Sequence, residues 1–277
     1  MAIEAKMVAD SVWVDAAGKP HRICTLQLKY PRFIHAEFMT HRVFSRNASS
    51  SRAIPVKKIL SAIWNDPAMP IHWGANQAGM QAKAEVSDFK QYVAEKLWRG
   101  CGKLACAFAY GMTMIGLHKQ VANRITEAWQ HISVIVTATE WQNFMELRDH
   151  PDAQPEIRAL AMEIKIAMEE SEPVELKRGE WHLPYVSDEE RKKYSVSVLK
   201  KISAARCARV SYLTHDGKTP DVTKDIELHD RLVASAPIHA SPVEHQATPS
   251  MSNKFHKNFK GWIPYRVEVE KQNLKAR

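Results

Sequence analysis

The sequence predicts a helix-rich α+β fold with a small, mostly antiparallel sheet. Two observations carry that prediction: a period-two alternation near each end of the chain, and helical apolar stripes between them. In residues 22–30, RICTLQLKY, Cys24, Leu26, Leu28 and Tyr30 fall on one side, with Ile23, Thr25, Gln27 and Lys29 on the other, which predicts a strand with one buried face. Phe89, Val93 and Leu97, with Tyr92 beside them, recur at helical spacing after Ser87 and Asp88, a pair suited to an N-terminus. In PEIRALAMEIKIAMEE, Pro155 suits a first turn, and Ile157, Leu160, Ala161, Ile164 and Met168 form a continuous stripe. Val222, Ile226, His229 and Val233 form another stripe. Residues 171–193 turn from acidic to basic around Pro173, Gly179 and Pro184 and read as a long connection. In WIPYRVEVE, Ile263, Tyr265, Val267 and Val269 alternate again, predicting a strand held to a sheet edge by Pro264, able to pair with the strand at 22–30.

The 277 residues carry 39 Lys+Arg against 31 Asp+Glu, a net charge of +8, and 45% of them are hydrophobic, enough for a substantial core. With 25% charged residues and only 10 Gly and 14 Pro, collagen-like and largely disordered classes are excluded. No apolar run approaches the roughly 18 residues that span a bilayer, so no membrane association is expected. The N-terminal stretch lacks the apolar core of a signal peptide, and Cys24, Cys101, Cys106 and Cys207 form no CxxC pair, which together predict a cytoplasmic protein without disulfides. The excess positive charge points to an anionic partner, with nucleic acid, nucleotide phosphates and simple solubility all open.

Four segments hold candidate chemistry. THRVFSRNASSSR, residues 40–52, follows a helix bearing Phe33, Ile34 and Phe38 and loosens into a Ser-rich loop ending at Arg52. Serine hydroxyls, backbone N–H groups and arginines in one loop suit a phosphate; a solvated linker has the same composition. In ATEWQNFMELR, residues 138–148, helical spacing puts Arg148 on a face with Trp141, Phe144 and Met145, where it either snorkels or reaches a buried polar group. HKQVANR, residues 118–124, ends on Arg124, either a ligand or a solvated helix end. HASPVEH, residues 239–245, brings His239, Glu244 and His245 together, but Pro242 breaks any helix and no third ligand is adjacent, so no metal is expected.

Together these segments resemble the flavin-dependent thymidylate synthase family. The family has RHR, seven residues, then Ser; here Thr40–His41–Arg42 is followed by seven residues and then by Ser50, Ser51 and Arg52. Its second signature, Asn-Ala-Arg-Ser-x-x-Asn-Phe before a substrate arginine and Ala-Gln-x-Glu-Ile, is matched by residues 137–144, Arg148 and residues 153–157. Two further pieces, Ala-Ala-Arg-Val-Ser and His-x-Thr-Pro-x-Glu-His, precede these in the family. Here Ala208–Arg209–Val210–Ser211–Tyr212 and His239–Ala240–Ser241–Pro242–Val243–Glu244–His245 come last, which reads as a circular permutation. The expected organisation is one domain over 1–277, with the signature part at 22–170, a connection at 171–200, the permuted segment at 201–249 and a basic C-terminal strand region at 250–277.

The resemblance implies reductive methylation of dUMP to dTMP, with FAD as cofactor and NADPH and methylenetetrahydrofolate as co-substrates. It places His41, Arg42, Val43, Asn143, His239 and Ser241, the last in place of a threonine, on the flavin. It places Ser50, Ser51, Arg52 and Arg124 on the dUMP phosphate, and Arg148 on the pyrimidine as the catalytic arginine. Glu37 falls where the family has a substrate-side glutamine, and its carboxylate would repel a phosphate unless paired with Arg52 or Arg124. It further implies a homo-oligomer, a homotetramer in the family's manner, and no enzyme nucleophile, so that Cys207 reads as a small core residue. Thr40, Ala48, Thr137 and Thr139 depart from the pattern and leave room for a pyrimidine hydroxymethylase or another base; such divergence suits a viral enzyme working in the host cytoplasm. A reading from another class is a nucleic-acid-binding protein using Lys192, Lys193, Lys200, Lys201, Lys254, Lys257 and Lys260 with Phe255, Phe259 and Trp262.

Overall fold

The computed structural model describes residues 3–210, 221–235 and 237–275. Five strands form the main sheet: β1 (Glu4–Val14), β2 (Pro20–Pro31), β3 (Ser45–Ala48), β4 (His131–Ala138) and β5 (Val174–Glu175), in the order β3-β4-β2-β1-β5. All its neighbours are antiparallel except β1 and β5. The hairpin between β1 and β2 closes at Gly18, whose φ of +79° an L side chain resists, and Asp15 accepts the N–H groups of Ala17 and Lys19 there. β2 is central, running from Cys24 opposite Ala138 to Pro31 opposite His131. Four short strands, β6 (Ala247–Pro249), β7 (Phe255–His256), β8 (Phe259–Lys260) and β9 (Trp262–Pro264), make two small antiparallel pairs, β6 with β9 and β7 with β8.

The helices are α1 (His35–Phe38), α2 (Val56–Asn65), α3 (Asp88–Met114), α4 (Lys119–Ala122), α5 (Gln142–Arg148), α6 (Pro155–Glu169), α7 (Asp188–Lys193), α8 (Val196–Ala208), α9 (Val222–Ala234) and α10 (Tyr265–Lys275). The fold is the helix-rich α+β arrangement that the periodicities predict. One sheet face buries Cys24, Leu26, Leu28 and Tyr30 against Phe38, Phe44, Phe144 and the predicted α6 stripe of Ile157, Leu160, Ala161 and Ile164. Ile23 and Thr25, expected on the open side, are also fully buried, because Trp262, Phe259 and Ala247 pack behind Ile23.

Residues 265–269 are helical and not a strand, correcting the alternation read there. Pro264 ends β9; beyond it Tyr265 and Val269, one turn apart, are both buried, and Arg266 pairs with Glu270 at i,i+4. Nor does β9 join β2: it pairs with β6, and Trp262 donates its indole N–H to the His21 carbonyl from outside the sheet. The loop expected over 40–52 contains β3, paired with β4 from Ser45 opposite Thr137 to Ala48 opposite Val134.

α3 begins after Ser87 as predicted, and Gly102 lets it approach Trp129 so closely that a Cβ would lie 2.9 Å from the indole. Its predicted apolar stripe, however, faces outward: Phe89, Tyr92, Val93 and Leu97 are exposed, and further along the helix so are Leu104 and Phe108. α8 and α9 are joined by buried charges, Arg206 donating to Asp225 at 2.9 Å and to Glu190 at 2.6 and 2.8 Å, while Arg209 also pairs with Asp225. Cys207 is a buried free thiol, as expected of a core residue; burial raises its pKa. Ser211 and Tyr212 lie outside the described residues.

Candidate active site

Where β3 begins, two sequence segments about a hundred residues apart meet. α5 carries Arg148 from a face whose Phe144 is buried against Phe38 and Phe44. Its Nε donates to His41 Nε2 at 3.0 Å, one terminal nitrogen forms an ion pair with Glu37, and the other donates to Thr40 Oγ1 at 3.4 Å. Arg148 therefore does not snorkel; it reaches a polar corner formed by the turn after α1. The expected partner of Glu37 was Arg52 or Arg124, and the structure corrects this to Arg148, because α1 and α5 pack side by side through Phe38 and Phe144.

His41 is buried, with its ring edge-on to Phe144 at 4.9 Å. Burial, reinforced by the nearby charges of Arg148 and Arg46, lowers its pKa to about 4, so the ring is neutral and Nε2 accepts from Arg148. The turn holding it is pinned by Arg46 in β3, which donates to the carbonyls of Phe38, Met39 and His41 at 3.0–3.3 Å. Arg46 was missed from the sequence, where it is one more arginine in a basic loop; the strand that aims it inward was the absent signal.

Two clefts open on either side of α5. The smaller, about 530 Å³, is lined by His41, Arg42, Val43 and Asn143 with Phe44, Phe144 and Phe255, so four of the six residues expected on the flavin are gathered there. The larger, about 1140 Å³, has Glu37 and Arg148 in its wall with Phe33, Trp98 and the buried Glu156. Glu146 and Leu147 border both clefts. His239 and Ser241 are exposed before and within the 3-10 turn Ser241–Glu244 and line neither cleft.

At the other end of β3 lies the predicted phosphate loop. Ser51 is buried and donates to Glu127 at 3.3 Å, and the same carboxylate pairs with Arg124 at 3.0 Å and with Arg32 at 3.2 Å. Ser50 caps the turn by accepting the Arg52 N–H at 3.3 Å; Arg52 is exposed, and the Arg124 side chain is 54% exposed. Ser51 and Arg124 are thus brought together, through a carboxylate that sequence reading did not single out.

A buried polar chain lies behind these groups. Ser11 meets His182 Nδ1 at 2.9 Å, His182 Nε2 meets Thr25 at 2.7 Å, Thr25 meets Thr137 at 2.7 Å, and Thr137 meets His245 Nδ1 at 2.9 Å. Burial lowers the pKa of both histidines to about 3, and the chain ties residues 182 and 245 to β1, β2 and β4. Asn47 in β3 also donates to the Cys207 carbonyl at 3.0 Å, so α8 and the 239–245 segment flank the sheet beside β3. Among the described residues no helix is long and apolar enough to cross a membrane.

The family model described as thymidylate synthase complementing protein matches residues 20–174, more than half of the chain. The matched span contains β2, both ends of β3, α5 and α6, and leaves α8, α9 and residues 239–245 outside. No curated protein matches the sequence. Among solved structures, the UMP/dUMP methylase PolB from Streptomyces cacaoi bound with 5-Br UMP is similar at a TM-score of 0.48 and 19% identity, over 60% of this chain and 88% of that one. The same methylase bound with 5-Br dUMP is similar at 0.44 and 20%, over 53% of this chain and 67% of that one.

Proposed function

The chain belongs to the thymidylate synthase complementing protein family, the flavin-dependent thymidylate synthases, and on that premise we propose that it transfers one carbon from methylenetetrahydrofolate to C5 of a pyrimidine nucleoside monophosphate. The single observation that carries this reading is the Arg148 corner, which joins both family signatures across more than a hundred residues of chain. The family's reaction is reductive methylation of dUMP to dTMP.

The smaller cleft fits a flavin: aromatic walls from Phe44, Phe144 and Phe255 suit a flat ring, Asn143 offers an amide to its polar edge, and Arg42 stands at the mouth for a diphosphate. Bound FAD supplies the hydride chemistry, NADPH restores it, and the protein supplies position and charge. His41, held neutral, fixes the Arg148 guanidinium by accepting from Nε. Arg148 then donates to the pyrimidine edge in the larger cleft and draws electron density so that C5 reacts. In this reading the phosphate binds to Ser50, Ser51, Arg52 and Arg124, of which Ser51 and Arg124 already meet at Glu127, and Arg124 exchanges that carboxylate for the nucleotide. His239 and Ser241, exposed and outside both clefts of one chain, are left to meet a flavin only in the oligomer that this reading requires.

The order of the segments is a circular permutation in this reading: α8 and residues 239–245 precede the signatures in the family, and here they return to the same sheet from the far end of the chain. The active form is a homo-oligomer, supported by the outward apolar stripe of α3. Less supports the nucleic-acid reading: Phe259 and Trp262 are fully buried, leaving Phe255 exposed, and Lys200, Lys201 and Lys257 are paired with Glu268, Asp230 and Glu270.

Purified protein incubated with FAD, NADPH, methylenetetrahydrofolate and a pyrimidine monophosphate is expected to bind flavin and give a nucleotide with a methyl group in place of one hydrogen, heavier by CH₂. A product heavier by a further oxygen identifies a hydroxymethylase, the alternative for which the departures at Glu37 and Thr40 leave room. Protein that neither binds added FAD nor alters the nucleotide contradicts the proposal.

A further inference from the structure

Resting on the pyrimidine site just proposed, we infer that the Glu37–Arg148 pair selects a cytosine base, so that the preferred substrate is a cytidine monophosphate such as dCMP. Arg148 has five N–H donors, and among the described residues three are engaged: Nε with His41, one terminal N–H with Glu37 and one on the other nitrogen with Thr40. One N–H on each terminal nitrogen remains. Glu37 gives one carboxylate oxygen to Arg148, and its second oxygen has no hydrogen-bond partner among the described residues. Both side chains line the same cleft.

The pair therefore offers two donors beside an acceptor. Along its pairing edge cytosine presents O2 and N3 as acceptors and the C4 amine as donor, which matches all three, and a carboxylate accepting from that amine is the natural partner of cytosine. Uracil presents acceptor, donor, acceptor. In the same orientation its O4 would face Glu37 lone pair to lone pair and its N3–H would face a guanidinium N–H, leaving two mismatched groups in a partly desolvated wall. Shifted so that N3–H meets Glu37, uracil makes two of the three bonds. An amide at position 37 removes the bias, because its oxygen and its NH₂ serve either base. The rest of the wall agrees with a base and not a phosphate in this cleft: Glu37, Glu146, Asp152 and Glu156 line it with a single arginine.

Calorimetric titration of the FAD-loaded protein with dCMP and with dUMP, followed by mass analysis of the products, tests the inference. Wild-type protein is expected to bind dCMP at least about tenfold more tightly and to convert it faster, and Glu37→Gln to bring the ratio to unity or below while circular dichroism remains unchanged. Equal or tighter binding of dUMP by the wild type overturns the inference and leaves the pyrimidine reading standing. A preference for dCMP that survives Glu37→Gln overturns the role of Glu37. Failure to bind either nucleotide overturns both the inference and the site on which it rests. The wild-type ratio decides even if the variant does not fold.

Discussion

The two ends of β3 make opposite uses of arginine. Before Ser45, Arg148 is engaged on three sides by His41, Glu37 and Thr40, and Arg46 is sunk among three carbonyls beneath them. After Ala48, Arg52 and Arg124 stand in solvent, with Arg124 held by Glu127 alone. The first end is assembled within one chain and fixes a guanidinium before any ligand arrives, which is what a group acting on a reacting ring requires. The second leaves its cations exposed to solvent, which suits capture of a phosphate from water. One short strand therefore separates a preorganised corner from an adaptable one.

The largest effect that sharpens this contrast comes from Arg148→Ala. It removes donors from the reacting base and leaves the flavin cleft intact, so turnover is expected to fall about 10²–10³-fold or more with flavin absorbance retained. Loss of both in parallel would place Arg148 on the flavin. At the adaptable end, Arg124→Ala removes one charge-assisted contact, and steady-state kinetics are expected to show KM for the nucleotide rising about 10–100-fold with little change in kcat. A change confined to kcat would mean that this end, too, is preorganised.

Two smaller effects lie outside the corner. Replacing Leu97 and Phe108 by Glu puts charges on the outward stripe of α3, and light scattering is expected to show a wild-type oligomer reduced to the monomer mass of 31.5 kDa. A wild-type monomer would break the proposed assembly. In acid, the buried His182 and His245 stay neutral until the pH nears 3, whereas the unfolded chain protonates its histidines near 6.5. Unfolding thus takes up protons across that window, and stability is present above about pH 6.5 and is lost as the pH falls toward 3. Urea midpoints measured between pH 7.5 and 4.5 check the sign, and His182→Gln is expected to flatten the slope.

What could be read from the sequence follows from how local each cause is. The strand at 22–30 and the helices beginning after Ser87 and Gln154 announce themselves through alternation, an N-cap and Pro155. Residues 263–269 misled because alternate Val and Tyr side chains with glutamates between them satisfy a strand, while the i,i+4 pair Arg266–Glu270 and the two buried faces of Tyr265 and Val269 satisfy a helix. Pro264 marks the boundary between the two. The direction of the α3 stripe was illegible because periodicity reveals a face and not what covers it. What motif spacing made legible was the meeting of distant segments: His41, Arg42, Val43 and Asn143 line one cleft, and Arg148 reaches His41. The partners that position them were not: Arg46, Glu127 and the Thr25–Thr137–His245 chain act across strand pairings that no linear spacing encodes.

The central claim is that the clefts on either side of α5, sharing Glu146 and Leu147, bring a flavin and a pyrimidine into one reacting unit. Titrating FAD-loaded protein with dCMP or dUMP while recording the flavin absorption spectrum tests it directly. A saturable spectral shift in the wild type, lost in Arg148→Ala with flavin still bound, is the predicted result. A nucleotide that binds by calorimetry and leaves the flavin spectrum unchanged would contradict it.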